Sequence, residues 1–396
     1  MDNTINDILT RGTANVIPNK SELQKKLSSG QILNIYLGID ATATRIHLGH
    51  AVPLRKLQKL ADLGHNVTFL IGDFTALIGD TSDKDSERPI LTVEEIEENF
   101  KTYKKQAEKL LDFSKVKVVH NSDWLSKLGF KDVVELTQKF TLNDFISREL
   151  IKKRLTDGKS VRLQEVLYPV MQGYDSYHLD TDLQLGGADQ TFNMQAGRTL
   201  QKLLRDKESY VLATDYLPGT DGRKMSKSWG NAVWLEDSPR DMYGKIMSIT
   251  DDVIITYFTL ATNLNLEEVK KYEDRLKNHE NPIHIKKELA KLIVSELHSQ
   301  KDAEEAEANF EKTVQNKELP EDIPTVELNP DAHLQASDLL VTLGLAGSKS
   351  EAKRLVEQGA VLVNDELVGT PNQEIIPEDN MIIKSGKRNY VRIKLN

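Results

Sequence analysis

Residues 31–230 alternate short strand-like apolar runs with amphipathic segments, and this alternation restricts the fold more than any other feature of the chain. LNIYLGI (33–39) reads as a buried strand. HLGHAVPLRKLQKLADLGH then carries Leu48, Val52, Leu57, Leu60 and Leu63 near helical spacing, with Gly64 as a stop. VTFLIGD follows as a second strand, and VKVVHNSDW (116–124) and SYVLATDYL (209–217) read as later ones. Strands separated by helical segments predict an α/β fold on a parallel, doubly wound sheet. A mostly helical stretch at about 125–180 interrupts it.

The chain has 396 residues, enough for two or three domains. The sheet domain is expected over 1–230. From 231 to 312 the pattern is almost all helical, with caps such as Thr250-Asp251-Asp252. Residues 313–331 are polar and hold Pro320, Pro324 and Pro330, which reads as a linker. Residues 332–396 read as a small α+β unit, with helices over 336–343 and 350–358 and then the strands AVLVN, MIIKS and YVRIKL.

There are no cysteines, which excludes a disulfide scaffold, a thiolate nucleophile, an iron–sulfur cluster and a cysteine-ligated zinc. No HExxH occurs, so a metalloprotease reading fails, and no resident metal site is expected. No apolar run approaches the ~18 residues of a membrane span. The opening MDNTINDILTRG has no apolar targeting core, and a cytoplasmic, soluble protein is expected. The net charge of −9 argues at first against a nucleic-acid partner. The charge is uneven, however. From Asp302 to Asp331 there are ten acidic and two basic residues, while the last thirteen residues carry five basic groups and no acidic side chain. A basic face can therefore coexist with an acidic chain.

Two motifs carry chemistry. In GIDATATRIHLGH a strand end passes through a polar loop into a helix beginning near His47, and His47 and His50 share one face of its first turn. Free N–H groups and two imidazoles there suit a polyphosphate. An isolated HxxH equally fits one capping and one core histidine. In GRKMSKS, Lys224 and Lys227 flank Met225-Ser226 on a turn-rich loop, where two lysines could close on phosphates. Alone, such a loop also reads as a solvated turn, and no GxxxxGK[ST] phosphate loop is present.

HLGH followed by KMSKS on a doubly wound pattern resembles the signature pair of the class I aminoacyl-tRNA synthetases. YLGIDATATRIHLGH, LIGDFTALIGDTSDKDSERP, YPVMQGYDSYHLDTDLQLGGADQTFN and DGRKMSKSWGN resemble the bacterial tyrosyl branch. The tail SDLLVTLGLAGSKSEAKRLVEQGAVLVNDELV resembles an alpha-L RNA-binding module. The resemblance implies a Rossmann-like catalytic domain, a helical anticodon-binding domain, a C-terminal RNA-binding domain and a homodimer. It implies activation of L-tyrosine with ATP and Mg2+ and transfer of the tyrosyl group to tRNA. It departs from the family at Ala41, where proline is common, and at Thr44-Arg45-Ile46 before His47.

Residue by residue, the resemblance puts Tyr36 and Asp175 at the tyrosine hydroxyl. It puts Tyr168, Gln172 and Asp80 at the ammonium, with Thr75 and Gln190 nearby. Gly38, Asp40, Gly187, Asp189, Ser226 and Ser228 fall at the ATP, with Asp189 on its ribose. Thr42, His47, His50, Lys84, Arg88, Lys224 and Lys227 fall at the phosphates. A buried phenol must hydrogen-bond, so an acid at its hydroxyl and another at the ammonium is a chemically sound division. A tryptophanyl enzyme would not need Asp175, and a non-catalytic RNA-binding relative would not need HLGH or KMSKS; these are the alternatives.

Overall fold

In the computed structural model the described residues are 2–40, 45–79, 92–226, 229–315, 323–329, 334–386 and 389–396. The chain divides into two compact units, Met1–Asp237 with Ser248–Leu289, and Ser238–Met247 with Ala290–Asn396.

The first unit is built on a six-stranded sheet of β1 (Thr13–Ile17), β2 (Asn34–Asp40), β3 (Asn66–Gly72), β4 (Val116–His120), β5 (Leu183–Gly187) and β6 (Tyr210–Thr214). Their order is β1-β6-β5-β2-β3-β4; β1 is antiparallel to β6 and every other neighbour is parallel. The central strands are buried on both faces, which is why they read as near-continuous apolar runs. Ile35, Phe69, Ile71, Leu183 and Leu212 are among the fully buried side chains. The helix Leu48–Asp62 buries Leu48, Val52, Leu57 and Leu60, and Gly64, at φ +86°, stands just past its end.

The winding runs β2, β3, β4 to one side and then returns to β5 and β6 on the other. The reversal falls between β2 and β5, whose carboxyl ends therefore open on a crevice. The sequence pattern missed β1 and β5. It also ran two strands too far. The 116–124 segment leaves the sheet at His120 and continues as Asn121 and the helix Ser122–Leu125, and the 209–217 segment pairs only over Tyr210–Thr214. The 125–180 stretch is helical as expected, with Phe130–Thr137, Leu142–Ile146, Glu149–Thr156 and Leu163–His178.

The 239–315 region is helical too, from Pro239–Met247 through Gln300–Phe310. The C-terminal part forms β7 (Thr325–Leu328), β8 (Leu334–Gln335), β9 (Val361–Val363), β10 (Glu366–Leu367), β11 (Glu374–Ile375), β12 (Ile382–Ser385) and β13 (Asn389–Leu395), with helices Ala336–Thr342 and Lys349–Glu357. Five strands join in the order β10-β9-β12-β13-β7 around a separate core that includes Leu339, Ala352, Ile383 and Ile393. The strand β7 lies inside the proline-bearing stretch read as a linker. Its alternating Thr-Val-Glu-Leu pairs parallel with β13, so part of that stretch is sheet.

Candidate functional site

A cleft of about 520 Å3 opens over the β2–β5 reversal. Of the residues singled out in the sequence, Tyr36, Gly38, Asp40, His47, His50, Thr75, Tyr168, Gln172, Asp175, Gly187, Asp189, Gln190, Lys224 and Ser226 all line it. Thr42, Asp80, Lys84, Arg88, Lys227 and Ser228 lie outside the described residues. The convergence follows from topology. Strand β2 ends in Asp40, β5 in Gly187, and the helix Leu163–His178 presents Tyr168, Gln172 and Asp175 from one face at helical spacing.

At one end the groups form a continuous hydrogen-bonded network. Tyr168 donates its hydroxyl to Asp40 Oδ2 at 2.8 Å, and Thr75 donates to Asp40 Oδ1 at 2.8 Å. Asn121 Nδ2 donates to Thr75 Oγ1 at 3.0 Å and to Asp175 Oδ2 at 3.1 Å. Trp124 Nε1 donates to Asp175 Oδ1 at 2.7 Å. A Cβ on Gly72 would stand 2.1 Å from Asp40 Oδ1 and 2.5 Å from Thr75 Oγ1, so only glycine leaves room for this corner. Tyr36 donates to Gln184 Oε1 at 3.1 Å, and its hydroxyl is 3.5 Å from the Gln172 carbonyl. Gln184 Nε2 is in turn held by the Met194 carbonyl. Burial is the largest influence on Asp175 and pushes it up to about 8. The bonds from Asn121 and Trp124 oppose this, and Asp40 and Asp73 add repulsion. Burial also raises Tyr36, with Asp175 adding to it.

At the other end the two signature segments are joined by backbone. Leu48 N–H donates to the Val233 carbonyl and Leu235 N–H to the Ile46 carbonyl, both at 2.9 Å, so the HLGH turn is bridged to the segment that follows the lysine loop. The His47 and His50 rings stack with centroids 3.8 Å apart, and His50 Nδ1 accepts the His47 backbone N–H at 3.3 Å. His47 is half-buried, and the desolvation of its ring, then His50 and Lys224, bring it down to about 2, so its imidazole is neutral. Among the described residues its Nδ1 has no hydrogen-bond partner. Lys224 stands 3.4 Å from Asp189 Oδ2 and over the Tyr216 ring. Arg45 pairs with Asp237 at 3.1 Å and lies over the Trp234 indole, 4.8 Å from its centre.

Asn121, Trp124, Gln184 and Trp234 were not found from the sequence. Asn121 and Trp124 sit just past the carboxyl end of β4, where open parallel sheets place their sites, and reading NSDW as strand hid them.

A family model described as tRNA synthetases class I (W and Y) matches residues 28–315. A second, described as the tyrosine–tRNA ligase SYY-like C-terminal domain, matches 315–393. A tyrosine–tRNA ligase of Dehalococcoides mccartyi is 41% identical over 391 residues, 98% of this chain and 98% of that protein. One of Carboxydothermus hydrogenoformans is 42% identical, over 98% of this chain and 97% of that protein. One of Thermotoga maritima is 40% identical, over 98% and 96%. Among solved structures, a tyrosyl-tRNA synthetase from Archaeoglobus fulgidus complexed with L-tyrosine superposes with a TM-score of 0.62. It is 24% identical and covers 78% of this chain and 100% of that one, a likeness of fold.

Proposed function

The chain belongs to the class I tRNA synthetases of the tryptophan and tyrosine type, and on that premise we propose how its cleft performs the reaction of the tyrosine branch. It activates L-tyrosine with ATP and transfers the tyrosyl group to tRNA. The tyrosine carboxylate attacks the α-phosphorus; that oxygen–phosphorus bond forms as the bond to the departing pyrophosphate breaks. The tRNA acceptor hydroxyl then displaces AMP. An ionised carboxylate needs no general base, so positioning and charge stabilisation carry the first step.

The observation that carries this reading is that one cleft holds a buried acid with Tyr36 at one end and His47, His50, Asp189 and Lys224 at the other. Asp175 and Tyr36 take the phenol hydroxyl. Tyr168, Gln172 and Asp80 hold the ammonium, with Thr75 and Gln190 close by. Gly38, Asp40, Gly187, Asp189, Ser226 and Ser228 hold ATP. Thr42, His47, His50, Lys84, Arg88, Lys224 and Lys227 stabilise charge on the transferring phosphate and pyrophosphate. Mg2+ enters with ATP. The near-full-length relatives are tyrosine–tRNA ligases and the C-terminal match is to a tyrosine–tRNA ligase domain, which favours tyrosine over tryptophan. The active form is a cytoplasmic homodimer that binds tRNA through its helical and C-terminal regions. Phe130, Leu142 and Leu163, all exposed on the helical stretch, support burial against a second copy.

Amino-acid-dependent ATP–pyrophosphate exchange tests the reading. Tyrosine should support exchange far better than any other of the twenty amino acids, with phenylalanine a weak but measurable substrate; an equal rate with tryptophan or phenylalanine would overturn the pocket assignment, and no exchange at all would favour a non-catalytic relative. Sedimentation of the full chain checks the dimer.

A further inference from the structure

Trp124 is the donor that fixes one oxygen of Asp175, through an Nε1–Oδ1 bond of 2.7 Å. Its indole is 7% exposed and packs inward in a cluster with Tyr36 and Leu70. One face of the indole is covered by His178, whose ring stacks on it with centroids 4.3 Å apart and planes 17° apart. His178 is itself exposed and stands on the same helix as Asp175, three residues on. Acid and stacking ring are thus held by one helix, and the indole packs against both the cluster and the imidazole. Burial, then Arg205 and Lys127, hold His178 below the usual histidine range, against a smaller opposing effect of Asp123.

We propose that His178 is a positioning residue for tyrosine selection: its imidazole holds the Trp124 indole flat, and thereby its N–H on Asp175, so that the carboxyl is aimed at the substrate hydroxyl. The inference rests on the reading that Asp175 receives the phenol. It makes a specific demand. A substrate without the hydroxyl gains nothing from an aimed Asp175, so loss of His178 must reduce the use of tyrosine and leave that of phenylalanine unchanged. Loosened packing would reduce both.

The experiment is pyrophosphate exchange by the full-length chain, varying tyrosine, phenylalanine and ATP in turn. Stacked pairs of aromatic rings contribute enough that His178→Ala should lower kcat/KM for tyrosine roughly three- to tenfold. The KM for ATP and the kcat/KM for phenylalanine should stay within about twofold, the margin of ordinary surface substitutions. His178→Phe keeps a stacking ring and should restore tyrosine use. In a Trp124→Phe background, where the donor is already gone, His178→Ala should cost nothing further. An unchanged tyrosine kcat/KM, an equal loss for phenylalanine, a Phe variant no better than Ala, or a full additional loss in the Trp124→Phe background would each overturn the proposal. Asp175→Asn runs alongside. If it leaves tyrosine use intact, the pocket reading itself fails; if it impairs tyrosine use while His178→Ala does not, only the role of His178 falls.

Discussion

In the proposed reading the selectivity of the cleft rests on Asp175, a single carboxyl whose environment opposes its charge. Held up to about 8 by burial, it is mostly protonated at neutral pH in the free protein. A phenol donating to it favours the carboxylate, so tyrosine binding should release a proton and tighten as pH rises toward 8, then level off. The slope is at most about tenfold per pH unit. Titration calorimetry in two buffers of different ionisation heat checks this, and Asp175→Asn should abolish the slope. The sign for stability is opposite. The folded chain keeps a proton that the unfolded chain loses near pH 4, so this group costs stability as pH rises from about 4 to about 8. Asp175→Ala should weaken tyrosine by ~1–3 kcal/mol with little effect on ATP, measured by equilibrium binding of each. His47 behaves in the other direction. Held down to about 2, it stays neutral across the working range, so the saturated exchange rate should show no inflection from it between pH 5 and 8. His47→Ala should lower that rate ~10²–10³-fold and leave tyrosine binding in place.

At the scale of elements, the loop carrying Lys224 is fastened by one side chain. Asn231 Oδ1 accepts from Ser226 N–H at 2.8 Å, while its Nδ2 donates to Asp221 at 2.7 Å and to the Lys224 carbonyl at 3.1 Å. Its own carbonyl accepts from Thr220 N–H. A Cβ on Gly219 would stand 2.3 Å from Asn231 Nδ2, so this glycine is required for the close approach. Tyr257 closes the base of the loop by donating to the Pro218 carbonyl at 2.8 Å. Asn231→Ala removes three bonds at once. It should lower the exchange rate at least about tenfold by misplacing the lysine, with tyrosine affinity unchanged, because catalysis by positioned charge is sensitive to displacements of about 1 Å. A steady-state comparison of kcat with KM for tyrosine checks it.

For the whole molecule, every group assigned to adenylation falls before residue 229, and the tail has its own apolar core. We therefore expect the two half-reactions to separate when the tail is removed. The strand β7 changes where the cut belongs. Cutting at 332 would leave Thr325–Leu328 without β13, an unpaired strand prone to aggregation, whereas cutting before 323 removes both. The shorter chain should keep pyrophosphate exchange near the full rate and lose much of its tRNA charging at physiological salt. The dependence of tRNA affinity on salt should also become shallower. In the tail, Lys353 and Arg354 are exposed, while Lys349 is paired with Asp338 and Lys394 with Glu327. Lys353→Ala with Arg354→Ala should therefore reduce the salt slope, measured by filter binding, more than Lys349→Ala does.

Local pattern was enough to reveal the doubly wound sheet, its helical interruption, the two C-terminal helices and three of the C-terminal strands, β9, β12 and β13, while β7, β8, β10 and β11 went unread. Burial on both faces writes apolar runs directly into the chain, and helix faces write their spacing. The residues of the cleft were legible only through short motifs and the family resemblance they carry, some at strand ends and others on a helix, such as Tyr168 and Asp175, or on the lysine loop. Strands β1 and β5 were not legible: LQLGG is short and glycine-ended, and β1 gains its place only by pairing with β6, some 200 positions away. The tertiary fold alone decided that β2 and β5 lie side by side, bringing Asp40 to Gly187 and Asp189. It also delivered Asn121 and Trp124 to Asp175, and bridged the histidine turn to Val233 and Leu235. Those contacts join residues from about 50 to almost 190 positions apart, and no local periodicity encodes a hydrogen bond whose partner arrives by the winding of the sheet.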